Sequence, residues 1–118
     1  MTQTTPLGDA ALLAQVLSQL SGTIDARAGG DETVSYTTKL IGKGPIECGK
    51  KLGEEAVELA LALAAQPETE IANEAADLLY HLFVGLRCRG VPLDAVAQAL
   101  AARQGQSGLE EKASRAPG

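Results

Sequence analysis

Residues 52–81, LGEEAVELALALAAQPETEIANEAADLLYH, decide the fold of this chain. Leu and Ala, both strong helix formers, fill the sequence on either side of Gln66-Pro67. A proline inside a helix removes a backbone hydrogen bond and clashes with the preceding turn, so one helix ends here and another begins. The pattern predicts helices over 46–65 and 68–89, the second stopped by Gly90. A connection this short makes them antiparallel neighbours. Glu54, Glu55, Glu58, Glu74 and Asp77 are threaded through this otherwise apolar pair.

Working outward, apolar Leu13, Val16, Leu17, Leu20 and Ile24 recur at helical spacing. They predict a first helix from Leu7 to Arg27, opened by Thr5-Pro6. GGDETVS (29–35) reads as a loop whose Ser35 caps a short helix, YTTKLI, ended by GKGP (42–45). After Pro92, LDAVAQALAARQ predicts a last helix closed by Gly105. No window alternates with period two over a useful length. The expected fold is all-α: one domain over 1–118, four to five helices around an antiparallel hairpin, with tails at about 1–6 and 106–118.

Composition agrees with this. Aromatic residues make up only 3% of the chain, so the core must be built from Leu, Ala and Val. LALALAA (59–65) and LLYHLFVGL (78–86) are apolar around nearly the whole helix and need cover on several sides. A chain of 118 residues cannot supply all of it, so a two-fold dimer is expected to complete the bundle. Within the hairpin, Leu52, Ala56, Leu59 and Leu63, with Ile71, Ala75, Leu78 and Leu82, are expected to face the bundle, the acids lining the other side.

A net charge of −5 argues against nonspecific binding to nucleic acid or anionic membranes. The N-terminus lacks the basic and apolar regions of a secretory signal, and no segment has 18 consecutive apolar residues, so a cytoplasmic location is expected. Cys48 and Cys88 have neither a CxxC partner nor a histidine cluster and read as idle thiols.

The acids form a register. Counted from Gln66, Glu58 and Glu74 lie eight residues away on opposite sides, Glu55 and Asp77 eleven, Lys51 and His81 fifteen. At about 1.5 Å of rise per residue each pair sits level, roughly 12 to 17 Å from the turn for the acids. Glu55/Glu58 and Glu74/Asp77 are each i, i+3 and share a helix face. Register makes the four acids level; it does not make them face each other. Two carboxylates about 5 Å apart repel by roughly 3 kcal/mol at an effective dielectric of about 20. Four converging acids therefore need a cation or a proton between them, and a hard divalent ion with oxygen ligands is the natural partner. Lys39, Lys43, Lys50 and Lys51 precede the acids, and Lys112 and Arg115 follow in the tail. Carboxylates for a cation beside cations for phosphates is a layout for phosphoryl chemistry. The plainer reading pairs Lys50 with Glu54 and Lys51 with Glu55 at i, i+4, which leaves Glu74 and Asp77 unexplained.

SYTTKLIGKG (35–44), KLGEEAVE (51–58), NEAADLLYHL (73–82) and SGLEEKASR (107–115) together resemble the phosphoribosyl-ATP pyrophosphohydrolases of histidine biosynthesis, over residues 35–115. The ExxE…ExxD frame alone is similar to the wider all-α (MazG-type) nucleoside triphosphate pyrophosphohydrolases. The resemblance implies Mg²⁺-dependent hydrolysis of phosphoribosyl-ATP to phosphoribosyl-AMP and pyrophosphate by an all-α homodimer, with Mn²⁺ able to replace Mg²⁺. It implies Glu55, Glu58, Glu74 and Asp77 as metal ligands, Glu54 and Glu55 as catalytic acids, and Lys39, Lys43, Lys51, Lys112 and Arg115 as substrate contacts. Cys48-Gly49 and Gly85 stand where larger helix formers are expected. The alternatives are a house-cleaning nucleoside triphosphate pyrophosphatase and a non-catalytic helical interaction module.

Overall fold

The computed structural model describes residues 5–31, 33 and 35–104. These form five α-helices: α1 (Ala11–Arg27), α2 (Tyr36–Lys43), α3 (Pro45–Ala65), α4 (Glu68–Arg89) and α5 (Leu93–Arg103). Among the described residues there is no strand, and the fold is all-α.

The hairpin is as the Gln66-Pro67 break predicts. α3 ends with the Gln66 N–H on the Ala62 carbonyl at 2.9 Å, and α4 starts with the Ile71 N–H on the Pro67 carbonyl at 3.1 Å. Glu68 and Glu70 occupy the first turn of α4 and Arg87 and Arg89 its last, complementing the helix dipole at both ends. Gly90 closes the helix in the left-handed conformation (φ 68°), with the Val91 N–H reaching back to the Leu86 carbonyl at 2.9 Å. That six-to-one bond needs a residue at home with positive φ, which glycine supplies.

The first helix starts later than its sequence suggests. Gly8 has φ 83°, outside the helical region, and the Asp9 carboxylate accepts the Ala11 N–H at 3.0 Å. The helix therefore begins after Ala10, its N-cap residue, rather than at the Thr5-Pro6 start. Ser35 caps α2 as expected, accepting the Thr38 N–H at 3.2 Å. α2 continues through Lys43, two residues past YTTKLI, and only Gly44 (φ 97°) separates it from α3, which has Pro45 at its first position.

α3 and α4 pack along their length; α2 lies across both, and α1 leans on α4 and α2. The core gathers where these meet: Ile24, Leu40, Cys48, Phe83 and Val84 are buried. Cys48 fills the space under α2, its Sγ donating to the Leu40 carbonyl at 3.4 Å, and Cys88 reaches the Ile41 carbonyl at 3.8 Å. Burial first, then the neighbouring Cys88 thiol, pushes the Cys48 thiol up to about 11. Both thiols are reduced. A side chain added at Gly49 or Gly85 would meet nothing, so packing does not explain either glycine.

Towards the turn the hairpin is uncovered. Val57, Leu61 and Leu63 are 60%, 65% and 64% exposed, and Leu12 on α1 is 72% exposed. Leu63 and Ala56 therefore do not face inward; Ala62 takes the buried position. Cys48, Glu55 and Ala62 follow at seven-residue steps, nearly two turns, and so share one face, which is the face against α4. Glu74, His81 and Cys88 do the same on α4. The acids continue the packed stripe rather than line its far side.

Candidate active site

Three of the predicted acids converge. Ligand-capable oxygens of Glu55 and Glu58 on α3 and Glu74 on α4 all lie within 4.8 Å of one another. Glu55 and Glu74 are half-buried and Glu58 is exposed, so the cluster sits at the rim of the helix interface. Glu74 Oε2 is buried with no hydrogen-bond partner. A buried carboxylate oxygen left unpaired is costly, and an oxygen-seeking cation satisfies it.

The electrostatics run the same way. Burial is the main cause raising the Glu55 carboxyl above its ordinary value; Glu58 and Asp77 add repulsion, partly offset by His81. Burial also leads the rise at Glu74, followed by repulsion from Glu58, Asp77 and Glu70. Metal-free, the cluster holds its own charges at a cost. Three converging carboxylates, one of which carries an orphaned oxygen, fit a hard divalent cation.

Asp77 stands beside this group, close enough to act on both Glu55 and Glu74, but its carboxylate lies outside the trio. Glu54 turns the other way: its Oε1 is 3.3 Å from Lys51 Nζ, an i, i+3 pair. That contact raises the Lys51 ammonium above its ordinary value. It replaces the i, i+4 pairing of Lys51 with Glu55 and leaves Glu55 free for the cluster. Lys39 and Lys43 are exposed on α2. Lys112 and Arg115 lie outside the described residues.

A cleft of about 200 Å³ opens beside the acids, lined by Glu58, Leu61, Ala62, Gln66, Glu70 and Glu74. A larger cavity of about 440 Å³ lies between α1, α4 and the start of α5, with the Arg87–Asp25 ion pair (2.9 Å) in its lining. It has no cluster of ligating groups among the described residues, so its size does not make it the site of phosphoryl chemistry.

An aromatic group flanks the acids that composition does not announce. Tyr36 stacks on Tyr80 with ring centres 6.5 Å apart, and both meet the edge of His81. Tyr80 is half-buried against the core, its hydroxyl hydrogen-bonded to Thr37, while Phe83 belongs to the core. The signal for His81 was its place one turn after Asp77; its burial depends on α2 lying over it.

The chain matches known proteins over most of its length. The family model described as Phosphoribosyl-ATP pyrophosphohydrolase covers residues 17–104. A Caulobacter vibrioides protein named phosphoribosyl-ATP pyrophosphatase is 55% identical over 104 residues, 88% of this chain and 96% of the relative. A Methylobacterium radiotolerans protein of that name is 50% identical over 106 residues, 90% and 99% of the two chains. Phosphoribosyl-ATP pyrophosphatase 1 of Rhodopseudomonas palustris is 50% identical over 99 residues, 84% and 92%.

Proposed function

From the premise that this chain belongs to the phosphoribosyl-ATP pyrophosphohydrolase family, we propose that it hydrolyses the α–β phosphate linkage of phosphoribosyl-ATP. The products are phosphoribosyl-AMP and pyrophosphate, in the second step of histidine biosynthesis. The observation carrying the reading is the Glu55–Glu58–Glu74 cluster with its orphaned Glu74 oxygen.

Glu55, Glu58 and Glu74 would hold Mg²⁺, or Mn²⁺ in its place, with Asp77 completing the set from the adjoining turn of α4. A divalent cation there would supply neutralising charge for the phosphate chain and a lowered pKa for a water. Glu55 is better placed than Glu54 to hold the attacking water, because Glu54 is engaged by Lys51. Lys39 and Lys43 contact phosphates from α2, and Lys51 does so on leaving Glu54. Lys112 and Arg115 add positive charge from the C-terminal segment.

The protein acts as a homodimer in the cytoplasm. Exposed Val57, Leu61, Leu63 and Leu12 leave apolar surface for a second copy to cover. The 200 Å³ cleft is also smaller than the roughly 300–1,000 Å³ of typical small-molecule sites, so the described residues of one chain offer only part of a nucleotide pocket. No helix among the described residues is long and apolar enough to cross a membrane.

The test is product identification with phosphoribosyl-ATP and Mg²⁺ beside a panel of nucleoside triphosphates. Strong preference for phosphoribosyl-ATP with stoichiometric pyrophosphate is expected. Equal turnover of the triphosphates would instead mark a house-cleaning enzyme.

A further inference from the structure

His81 is 7% exposed, and its ring has one nitrogen engaged and one without a partner. Nδ1 lies 3.0 Å from the Asp77 carbonyl oxygen one turn earlier on α4. A carbonyl only accepts, so Nδ1 carries the hydrogen, and in the uncharged form of the ring the lone pair lies at Nε2. Nε2 is buried and unpaired. Buried polar atoms nearly always find partners, so an orphan of this kind points to a group that arrives later.

The ring is held firmly. Tyr80 meets it edge-on with centres 5.0 Å apart and an interplanar angle of 89°, and Tyr36 meets it at 6.3 Å and 74°. With Nδ1 tied to the backbone of α4, Nε2 on the other side of the ring is turned away from that carbonyl. His81 follows Glu74 by seven residues, nearly two turns, and so lies on the same face of α4, the helix that packs against α3 and its Glu55. His81 itself lies outside the trio's 4.8 Å, one step beyond the ligands.

Building on the metal reading above, we propose that His81 is a positioning residue of the acid cluster. Its Nε2 accepts a hydrogen bond from a water on the cation that Glu55, Glu58 and Glu74 hold. Mg²⁺ keeps several waters when protein-bound, and such waters are strong donors. Acceptors just outside a ligand set orient what the metal carries, and losing one typically lowers affinity or activity by about 10- to 100-fold.

Two variants separate this role from packing. His81→Phe keeps an aromatic ring against Tyr36 and Tyr80 but has no acceptor. His81→Gln loses the ring but can place an amide oxygen where Nε2 stands. The readouts are Mn²⁺ affinity by calorimetry without substrate, and kcat and KM for pyrophosphate release. His81→Phe is expected to bind Mn²⁺ about 10-fold more weakly and to lose about 10- to 100-fold in kcat with KM changed by less than about 3-fold. His81→Gln is expected to stay within about 3-fold of the parent in both, even where it melts lower. A packing role predicts the reverse order, so His81→Phe performing as well as or better than His81→Gln overturns the proposal. A parent protein that binds no Mn²⁺ overturns the metal reading itself, whereas a parent that binds it while His81→Phe matches it overturns only the role of His81.

Discussion

The two ends of the α3–α4 hairpin are built on the same helical stripe and do opposite things. At the end under α2, the stripe places Cys48, Val84 and Cys88, and the surroundings are apolar and closed. Two turns nearer the loop, it places Glu55, Glu58 and Glu74, and the surface opens. The backbone geometry hardly differs between them. What differs is the cover, because α2 and α1 lie over one end and, among the described residues, no helix lies over the other. A helix pair can thus hold a fold with one half of its interface and a charged site with the other half, provided that a cation or solvent reaches the second.

The sharpest way to break the comparison is to neutralise one acid. Glu74→Gln should lower kcat/KM by about a thousand-fold, the loss of about 4 kcal/mol of transition-state stabilisation. The metal-free melting temperature should stay level or rise, since repulsion on Glu55 and Glu58 falls. A drop in both would mean that Glu74 holds the fold together, as Val84 does.

At the closed end, Leu40→Ala should cost about 2–5 kcal/mol of stability, read by denaturant unfolding. Mn²⁺ affinity of the remaining folded protein should change little. Comparable losses of stability from Leu40→Ala and Glu74→Gln would erase the division between the two ends.

Cation binding links the halves through pH. Glu55 and Glu74 titrate above their ordinary value of 4.5 in the folded chain, so the native state holds protons that the unfolded state has released. Their contribution to stability is therefore lost as pH rises from the unfolded value through the raised native ones. Divalent cations relieve that repulsion. At a concentration near a hundred times the dissociation constant they should add about 2.7 kcal/mol at neutral pH. The gain should shrink as pH falls towards the raised values of these carboxyls, where protons compete. A gain in melting temperature independent of pH would place the ion elsewhere.

The smallest effect expected is at the helix cap that sets α2 over the core. Ser35→Ala should cost about 1 kcal/mol in thermal or denaturant unfolding. A much larger loss, with activity falling in step, would show that the position of α2 governs the acid cluster as well as the core.

Helix identity, the Pro67 break, the Ser35 cap and the Gly90 stop were all legible in the sequence, because each depends on residues within a turn or two. So was the level register of the acids, which needs only a rise per residue and a turn of known length. The start of α1 lies later than Thr5-Pro6 implies because Gly8 has positive φ and interrupts the helical path between them, and the Asp9 carboxylate holds the turn that leads into the helix. Rotation of each helix about its own axis was not legible where LALALAA is apolar nearly all round, since such a segment has no preferred inner face. Only packing against α4 chose Ala62 over Leu63, and with it turned Glu55 and Glu58 towards Glu74, left Asp77 beside them and sent Glu54 to Lys51. By itself the sequence determined which residues are helical and at what height each acid stands, since both follow from local backbone geometry. The tertiary structure alone decided which acids meet and that the unpaired nitrogen of His81 is buried, since both depend on contacts between residues distant along the chain.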